Sequence, residues 1–308
     1  MDITHTSVLG AGVIGASWAA LFLASGRSVA AYDPAEGAEA RLRAYVETAW
    51  PVLEELGMTA RGRPDALTFH AKPGDAVAGA GFIQESVPKR LHIKHALFAE
   101  VEPALEAGAV LSSSASGLTL SQMQAGWQDP APLILGHPFN PPHLIPLVEL
   151  AANDRTRPGA LELAEAFYAD CGKVTIRVNK EINGHVANRL QAALWREAIH
   201  LVMEGVASVG DVDKAIAAGP GIRWAALGPN AVWDLAAGPG GMAGYIAHFQ
   251  DTFNGWWDEM GQPYLNDEVR DVIVRGLAEA NGGASQEELC AVRDARVTAI
   301  LKGLRGAP

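Results

Sequence analysis

The chain has 308 residues, 49% of them hydrophobic, and a formal net charge of −11. That length exceeds one typical domain and the apolar content fills a sizeable core, so a globular protein of two domains is expected. An acidic chain without a Lys/Arg run is a poor partner for nucleic acid or an anionic membrane surface, and no stretch approaches the length of a membrane span.

From the N-terminus, Met1-Asp2-Ile3-Thr4-His5 lacks the basic start and apolar core of a secretory leader, which points to the cytoplasm. Thr6-Ser7-Val8-Leu9 reads as the end of a buried strand, Gly10-Ala11-Gly12-Val13-Ile14-Gly15 follows, and Ala16 to Ala24 continues as an apolar helix. The three glycines have separate tasks: a tight turn, close approach of backbone to a pyrophosphate, and close helix–strand packing. A chain with 33 glycines would show such a pattern by chance roughly 0.4 times, so the glycines alone decide little. Asp33 supplies the context. It ends the next apolar strand, Val29-Ala30-Ala31-Tyr32, where an acid binds ribose hydroxyls and repels a 2′-phosphate. Because no Arg follows until Arg41, NAD is expected as the cofactor rather than NADP. Gly10, Gly12, Val13, Ile14, Gly15 and Asp33 are its candidate contacts.

Further strands are predicted at Gly81 to Gln84, Ala109 to Ser112, Leu133 to Gly136, Ile145 to Leu150 and Val174 to Val178, most with helices between them. The alternation defines a doubly wound sheet. Within it, Gly136-His137-Pro138-Phe139-Asn140-Pro141-Pro142 leads through a proline-rich reversal into the apolar run that carries Glu149. If the two runs pair antiparallel about a turn near residues 140 to 143, His137 comes within reach of Glu149. A neutral imidazole held by a carboxylate on one nitrogen has the other fixed as a proton acceptor. Cys171 and Cys290, the only cysteines, have no metal-type spacing and read as ordinary thiols; no metal site is expected. After Ile182 the pattern changes. Val186 to Val206 forms one long apolar-periodic helix, and short helices separated by Gly/Pro pairs continue to the end. This gives an α/β fold: a Rossmann-type domain over residues 1–183, then an all-α domain over 184–308. A second glycine cluster, Gly238-Pro239-Gly240-Gly241-Met242-Ala243, is rejected as a nucleotide loop because Pro239 interrupts it and no clear strand precedes it.

Taken together, the glycine loop, Glu85-Ser86-Val87-Pro88 leading to Lys94, Ser113-Ser114-Ala115-Ser116-Gly117-Leu118, His137 with Glu149, and Asn188-Arg189-Leu190 resemble the 3-hydroxyacyl-CoA dehydrogenase superfamily over nearly the whole chain. The resemblance implies hydride transfer from C3 of a 3-hydroxy acid to NAD. It implies His137 as base, Glu149 orienting it, Ser116 and Asn188 holding the substrate oxygen, Glu85 and Lys94 at the cofactor, and a homodimer formed through the helical domain. One departure is Lys89, which stands where the family commonly has an acid.

Residues 35 to 71 contain no Lys and carry six acids against Arg41, Arg43, Arg61 and Arg63, which suits CoA phosphates poorly. Gly219-Pro220-Gly221-Ile222-Arg223-Trp224 is similar to an Arg-aromatic segment of the branch containing lambda-crystallin, L-gulonate 3-dehydrogenase and L-carnitine dehydrogenase. Those act on small free acids, and an Arg can hold a carboxylate through two parallel hydrogen bonds, which makes Arg223 the candidate substrate anchor. Trp195, Trp224, Trp233, Trp256 and Trp257 suit either a quaternary ammonium or a packed interface. Carnitine, a sugar acid of the gulonate type and other small 3-hydroxy acids stay open, with 3-hydroxyacyl-CoA as the alternative substrate. So do a non-catalytic, crystallin-like NAD-binding protein and a lysine-dependent hydroxyacid dehydrogenase using Lys180.

Overall fold

A computed structural model describes residues 3–305; Met1 and Asp2, which open the segment read above for a leader, and residues 306–308 lie outside it. The chain divides into two compact units between Val186 and Ala187.

In the first unit eight strands form one sheet: β1 (His5–Leu9), β2 (Ser28–Tyr32), β3 (Leu67–His70), β4 (Phe82–Glu85), β5 (Val110–Ser113), β6 (Leu133–Pro138), β7 (Leu147–Ala151) and β8 (Val174–Arg177). Their spatial order is β3-β2-β1-β4-β5-β6-β7-β8, every pair parallel except β6 with β7. Among the described residues, six α-helices connect them: α1 (Val13–Ala24), α2 (Ala38–Glu55), α3 (Pro73–Val77), α4 (Leu91–Val101), α5 (Leu120–Gln124) and α6 (Ala160–Asp170). Period-2 alternation along β1 sends Val8 into a core with Trp18, Phe22, Leu42 and Phe167, and Leu9 into a second core with Ala76, Phe98 and Met123. Both faces are therefore covered, as parallel strands require. Strand order reverses direction between β1 and β4, and such a switch point opens a crevice at the carboxyl ends of the strands.

The edge strand β3 and the short helix α3 were not foreseen. In β3 only Leu67 is buried, so the segment lacks the apolar run or clean alternation that marks an inner strand.

The second unit is helical, and among its described residues there is no strand. It contains α7 (Ala187–Met203), α8 (Val209–Ala218), α9 (Pro220–Ala226), α10 (Pro229–Ala236), α11 (Gly241–Glu259), α12 (Asp267–Asn281) and α13 (Gln286–Arg305). Local chemistry fixes these boundaries. The Ser208 hydroxyl accepts from Asp211 N–H at the start of α8, the Asn266 side chain caps α12, and Pro220 and Pro229 open α9 and α10, where a missing N–H costs nothing. Gly238–Gly240 is a single 3-10 turn between α10 and α11, not a loop after a strand. Among the described residues no helix is long and apolar enough to cross a membrane.

Candidate active site

The glycine loop sits between β1 and α1, and each glycine has a distinct steric reason. Gly10 has φ +89°, and a Cβ there would meet Ser86 and Val87 backbone at 2.8 Å. At Gly15 a Cβ would fall 1.7 Å from the Gly10 carbonyl oxygen, so α1 could not pack so close to the loop. Gly12 meets nothing within 4 Å. Its missing side chain keeps open the space in front of α1, whose N-terminus has no side-chain cap. Gly12 is exposed, Val13 is 59% exposed and Ile14 is half-buried. Uncapped N–H groups and the positive end of the helix dipole face that space, which is the chemistry a pyrophosphate needs. From the end of β2, Asp33 accepts hydrogen bonds from Ala11 N–H (2.7 Å) and Ala35 N–H (2.9 Å). These hold its carboxylate beside the loop, and its remaining lone pairs are available for ribose hydroxyls. The residues present fit NAD.

Glu85, at the end of β4, and Lys94, in α4, form an enclosed ion pair. Lys94 donates to Glu85 Oε1 at 2.5 Å, with both side chains enclosed. Glu85 also accepts from Val87 N–H (2.7 Å) and Ser113 Oγ–H (2.5 Å), tying the ends of β4 and β5 to the loop on which Gly10 rests. Lys94 therefore points into the protein.

The antiparallel β6–β7 pair sets His137 directly opposite Glu149. His137 Nδ1 lies 2.8 Å from Glu149 Oε2. Glu149 is 0% exposed and His137 5%. The other carboxylate oxygen, Oε1, accepts from Val186 N–H at 2.9 Å. Since a buried carboxylate accepts, Nδ1 carries the proton and Nε2 presents a lone pair. Phe139 and His185 flank the ring, each with its centroid 5.1 Å away.

His185 went unrecognised in the sequence. It has φ +49°, follows Gly184 at φ +78°, and is buried. Two successive left-handed residues turn the chain so that Val186 N–H reaches Glu149 while His185 Nε2 reaches the Ala115 carbonyl at 3.2 Å. A carbonyl only accepts, so Nε2 is the protonated nitrogen. Burial holds His185 below the usual imidazole pKa, the Ala115 hydrogen bond opposing this and His137 adding to it. The only legible sign was a Gly-His pair just before a helix. Ser116, half-buried, follows Ala115, and its hydroxyl accepts from the exposed Lys89 ammonium. The first unit therefore gathers Lys89, Ser116, His137, Glu149 and His185 around the loops after β4, β5 and β6.

The remaining candidates lie in the second unit. Asn188 is half-buried in the first turn of α7. Arg223, in α9, is exposed, with its guanidinium 6.0 Å from the Trp233 ring centroid. Lys180 is exposed in the loop after β8. Among the described residues no group of three or more His, Cys, Asp or Glu could hold a metal ion.

A nucleotide-binding loop with a ribose acid, joined in one sheet to a buried imidazole–carboxylate pair, is the equipment of a nicotinamide-dependent oxidoreductase. Comparison with known proteins makes this specific. Residues 5–182 match the NAD binding domain of 3-hydroxyacyl-CoA dehydrogenase and residues 184–267 its C-terminal domain. The L-carnitine dehydrogenase of Streptomyces griseus is 44% identical over 307 residues, covering 100% of this chain and 92% of that protein. That of Pseudomonas putida is 40% identical over 306 residues, covering 99% and 95%. Among solved structures, FHMPC 5-dehydrogenase, described as an NAD+-dependent dismutase, superposes with a TM-score of 0.85 at 26% identity and covers 100% of both chains. The 3-hydroxyacyl-CoA dehydrogenase of Archaeoglobus fulgidus, 22% identical, shares the fold with a TM-score of 0.67 over 98% of this chain and 99% of that one. The chain belongs to the 3-hydroxyacyl-CoA dehydrogenase family. It is an NAD-dependent oxidoreductase that acts on the CH–OH group of a 3-hydroxy acid.

Proposed function

We propose that the substrate is a small free 3-hydroxy acid, of the kind exemplified by L-carnitine, and that His137 is the general base that removes its hydroxyl proton. The observation that carries the mechanism is the 2.8 Å contact between His137 Nδ1 and the enclosed Glu149 carboxylate. With Nδ1–H fixed on Glu149, Nε2 accepts the proton as the C3–H bond breaks, and the adjacent carboxylate stabilises the imidazolium that results. Bound NAD supplies the hydride acceptor. Gly10, Gly12, Val13, Ile14 and Gly15 cradle its pyrophosphate and Asp33 its ribose, while Glu85 and Lys94 fix the loop beneath. Ser116 and Asn188 donate to the substrate oxygen, on which alkoxide charge develops.

Three features favour a free acid over a CoA thioester. The similarity to L-carnitine dehydrogenases spans the full chain. Residues 35 to 71, which include α2, carry no lysine to meet CoA phosphates. Arg223 is exposed and offers a planar two-point grip on a carboxylate. A sugar acid of the gulonate type is the second free-acid candidate.

We read residues 1–183 as the NAD-binding domain and 184–308 as the substrate and dimerisation domain, in a protein of the cytoplasm. An aromatic cavity of about 390 Å³ lined by Trp233, Tyr245, Phe249, Phe253 and Trp257 lies within the helical unit. Trp256 and Ile246 are more than half exposed on the same helix, as a face covered by a second copy would be; sedimentation analysis of the purified protein tests this. The mechanism is tested by His137→Ala, which should lower kcat by about 10²-fold or more while leaving NAD affinity nearly unchanged. Wild-type turnover in that variant would sink it.

A further inference from the structure

Lys89 lies in the turn between β4 and α4, exposed, with its ammonium donating to the Ser116 hydroxyl. No carboxylate among the described residues pairs with it. The acid nearest in sequence, Glu85, is already engaged by Lys94, Val87 N–H and Ser113. The turn itself is pinned by a 2.7 Å bond from Arg90 N–H to the Pro88 carbonyl. Ser116 in turn belongs to the loop held by His185, whose ring packs against that of His137. Lys89 thus brings an uncompensated positive charge to the serine read above as the ligand of the substrate oxygen.

An ammonium is donor-only, so Ser116 accepts from Lys89 and its single hydrogen is free to point at another oxygen. Donors remain on the ammonium as well. A site so built welcomes negative charge and opposes positive charge in the atoms next to the reacting carbon. With one hydrogen bond from Lys89 to Ser116 and a second from Ser116 to the substrate oxygen, each of ordinary length, a quaternary nitrogen on the carbon beside C3 falls on the order of 6 Å from the ammonium. At that separation two like charges in a partly shielded site disfavour binding by about 10-fold or more.

We propose that Lys89 is a specificity-determining residue, which selects 3-hydroxy acids carrying no positive charge beside C3 and attracts anionic oxygen to the Ser116 hydroxyl. The inference rests on the free-acid reading of the site. Two influences run opposite ways here: the overall similarity is to L-carnitine dehydrogenases, while this side chain opposes a trimethylammonium group.

The test is the ratio of kcat/KM for L-carnitine to that for its isostere in which a neutral tert-butyl group replaces the trimethylammonium. The carboxylate is common to both, so the ratio isolates the positive charge. Wild type should prefer the isostere by about 10-fold or more, Lys89→Arg should keep that preference, Lys89→Met should reduce it, and Lys89→Glu should reverse it, with the change chiefly in KM. Lys89 is exposed, and thermal melting of each variant confirms that the fold is retained. A wild-type preference for L-carnitine, or a ratio unmoved across the variants, would overturn the assignment of Lys89 alone. Turnover confined to a 3-hydroxyacyl-CoA would overturn the free-acid reading and this inference with it.

Discussion

Replacing Glu149 by Gln tests the buried pair with almost no change of volume, and the structure shows why the amide cannot substitute. One carboxylate oxygen accepts from His137 Nδ1–H and the other from Val186 N–H. A carboxamide has one acceptor and one donor end. If its oxygen faces Val186, its NH2 faces Nδ1, which forces the imidazole into the tautomer with Nε2 protonated and removes the base. If its oxygen faces His137, the NH2 confronts Val186 N–H, and a buried donor is left without a partner. Either orientation costs about 1–3 kcal/mol for the mismatched group, and loss of a charge-assisted bond adds about 1–2 kcal/mol more. At about 1.4 kcal/mol per decade the sum of about 2–5 kcal/mol corresponds to a kcat reduced by roughly 30- to 4,000-fold. The assay is initial-rate NADH formation at saturating NAD and acid, with NAD affinity measured separately by fluorescence titration. A folded Glu149→Gln enzyme retaining kcat within about 3-fold of wild type would refute the tautomer argument.

Gly12→Ala should fold with wild-type thermal stability, because its Cβ meets nothing, yet lose NAD affinity by about 10-fold or more; Gly15→Ala, whose Cβ would overlap the Gly10 carbonyl, should fail to fold stably. Equal behaviour of the two variants would contradict the separate roles. Arg223→Met should raise KM for free 3-hydroxy acids by an amount equivalent to about 2–5 kcal/mol, Arg223→Lys recovering part of it, with little effect on an uncharged 3-hydroxy ester. Equal losses on acid and ester would assign Arg223 to structure instead. Lys173, whose ammonium donates to the Pro142 and Ile145 carbonyls, is pushed down to about 7 by burial. Its folded pKa lies below the unfolded value, so the unfolded chain binds the extra proton above pH 7, and this group's contribution to stability rises with pH from about 7 toward 10.5. Lys173→Met should flatten that part of the Tm–pH curve, and an unchanged slope would show that the lysine does not titrate there.

Much of the site was legible because it is local. The glycine loop and its Asp33 are separated by one helix and one strand, and period-2 pairing about a short turn was enough to set His137 against Glu149. What escaped depends on contacts distant in sequence or on unusual backbone. The His185 bond to Ala115 spans 70 residues and needs φ +49°. Glu85 and Lys94 could be singled out, but their mutual burial is a tertiary fact: a lysine close to Lys89, Arg90, His92 and His95 in sequence reads as solvated until β5 is placed beside it. Lys89 was noticed only as a departure, and its meeting with Ser116 across 27 residues gave it a meaning. At the sheet edge, β3 was missed because a half-exposed strand has little hydrophobic pattern to detect.

The most direct test of the account is NADH formation by wild type and His137→Ala across a panel of free 3-hydroxy acids and one 3-hydroxyacyl-CoA. The account predicts NAD-dependent turnover of at least one free acid by the wild type, little or none of the thioester, and a loss of about 10²-fold or more without the imidazole. Turnover of the thioester alone, or undiminished turnover in His137→Ala, would contradict it.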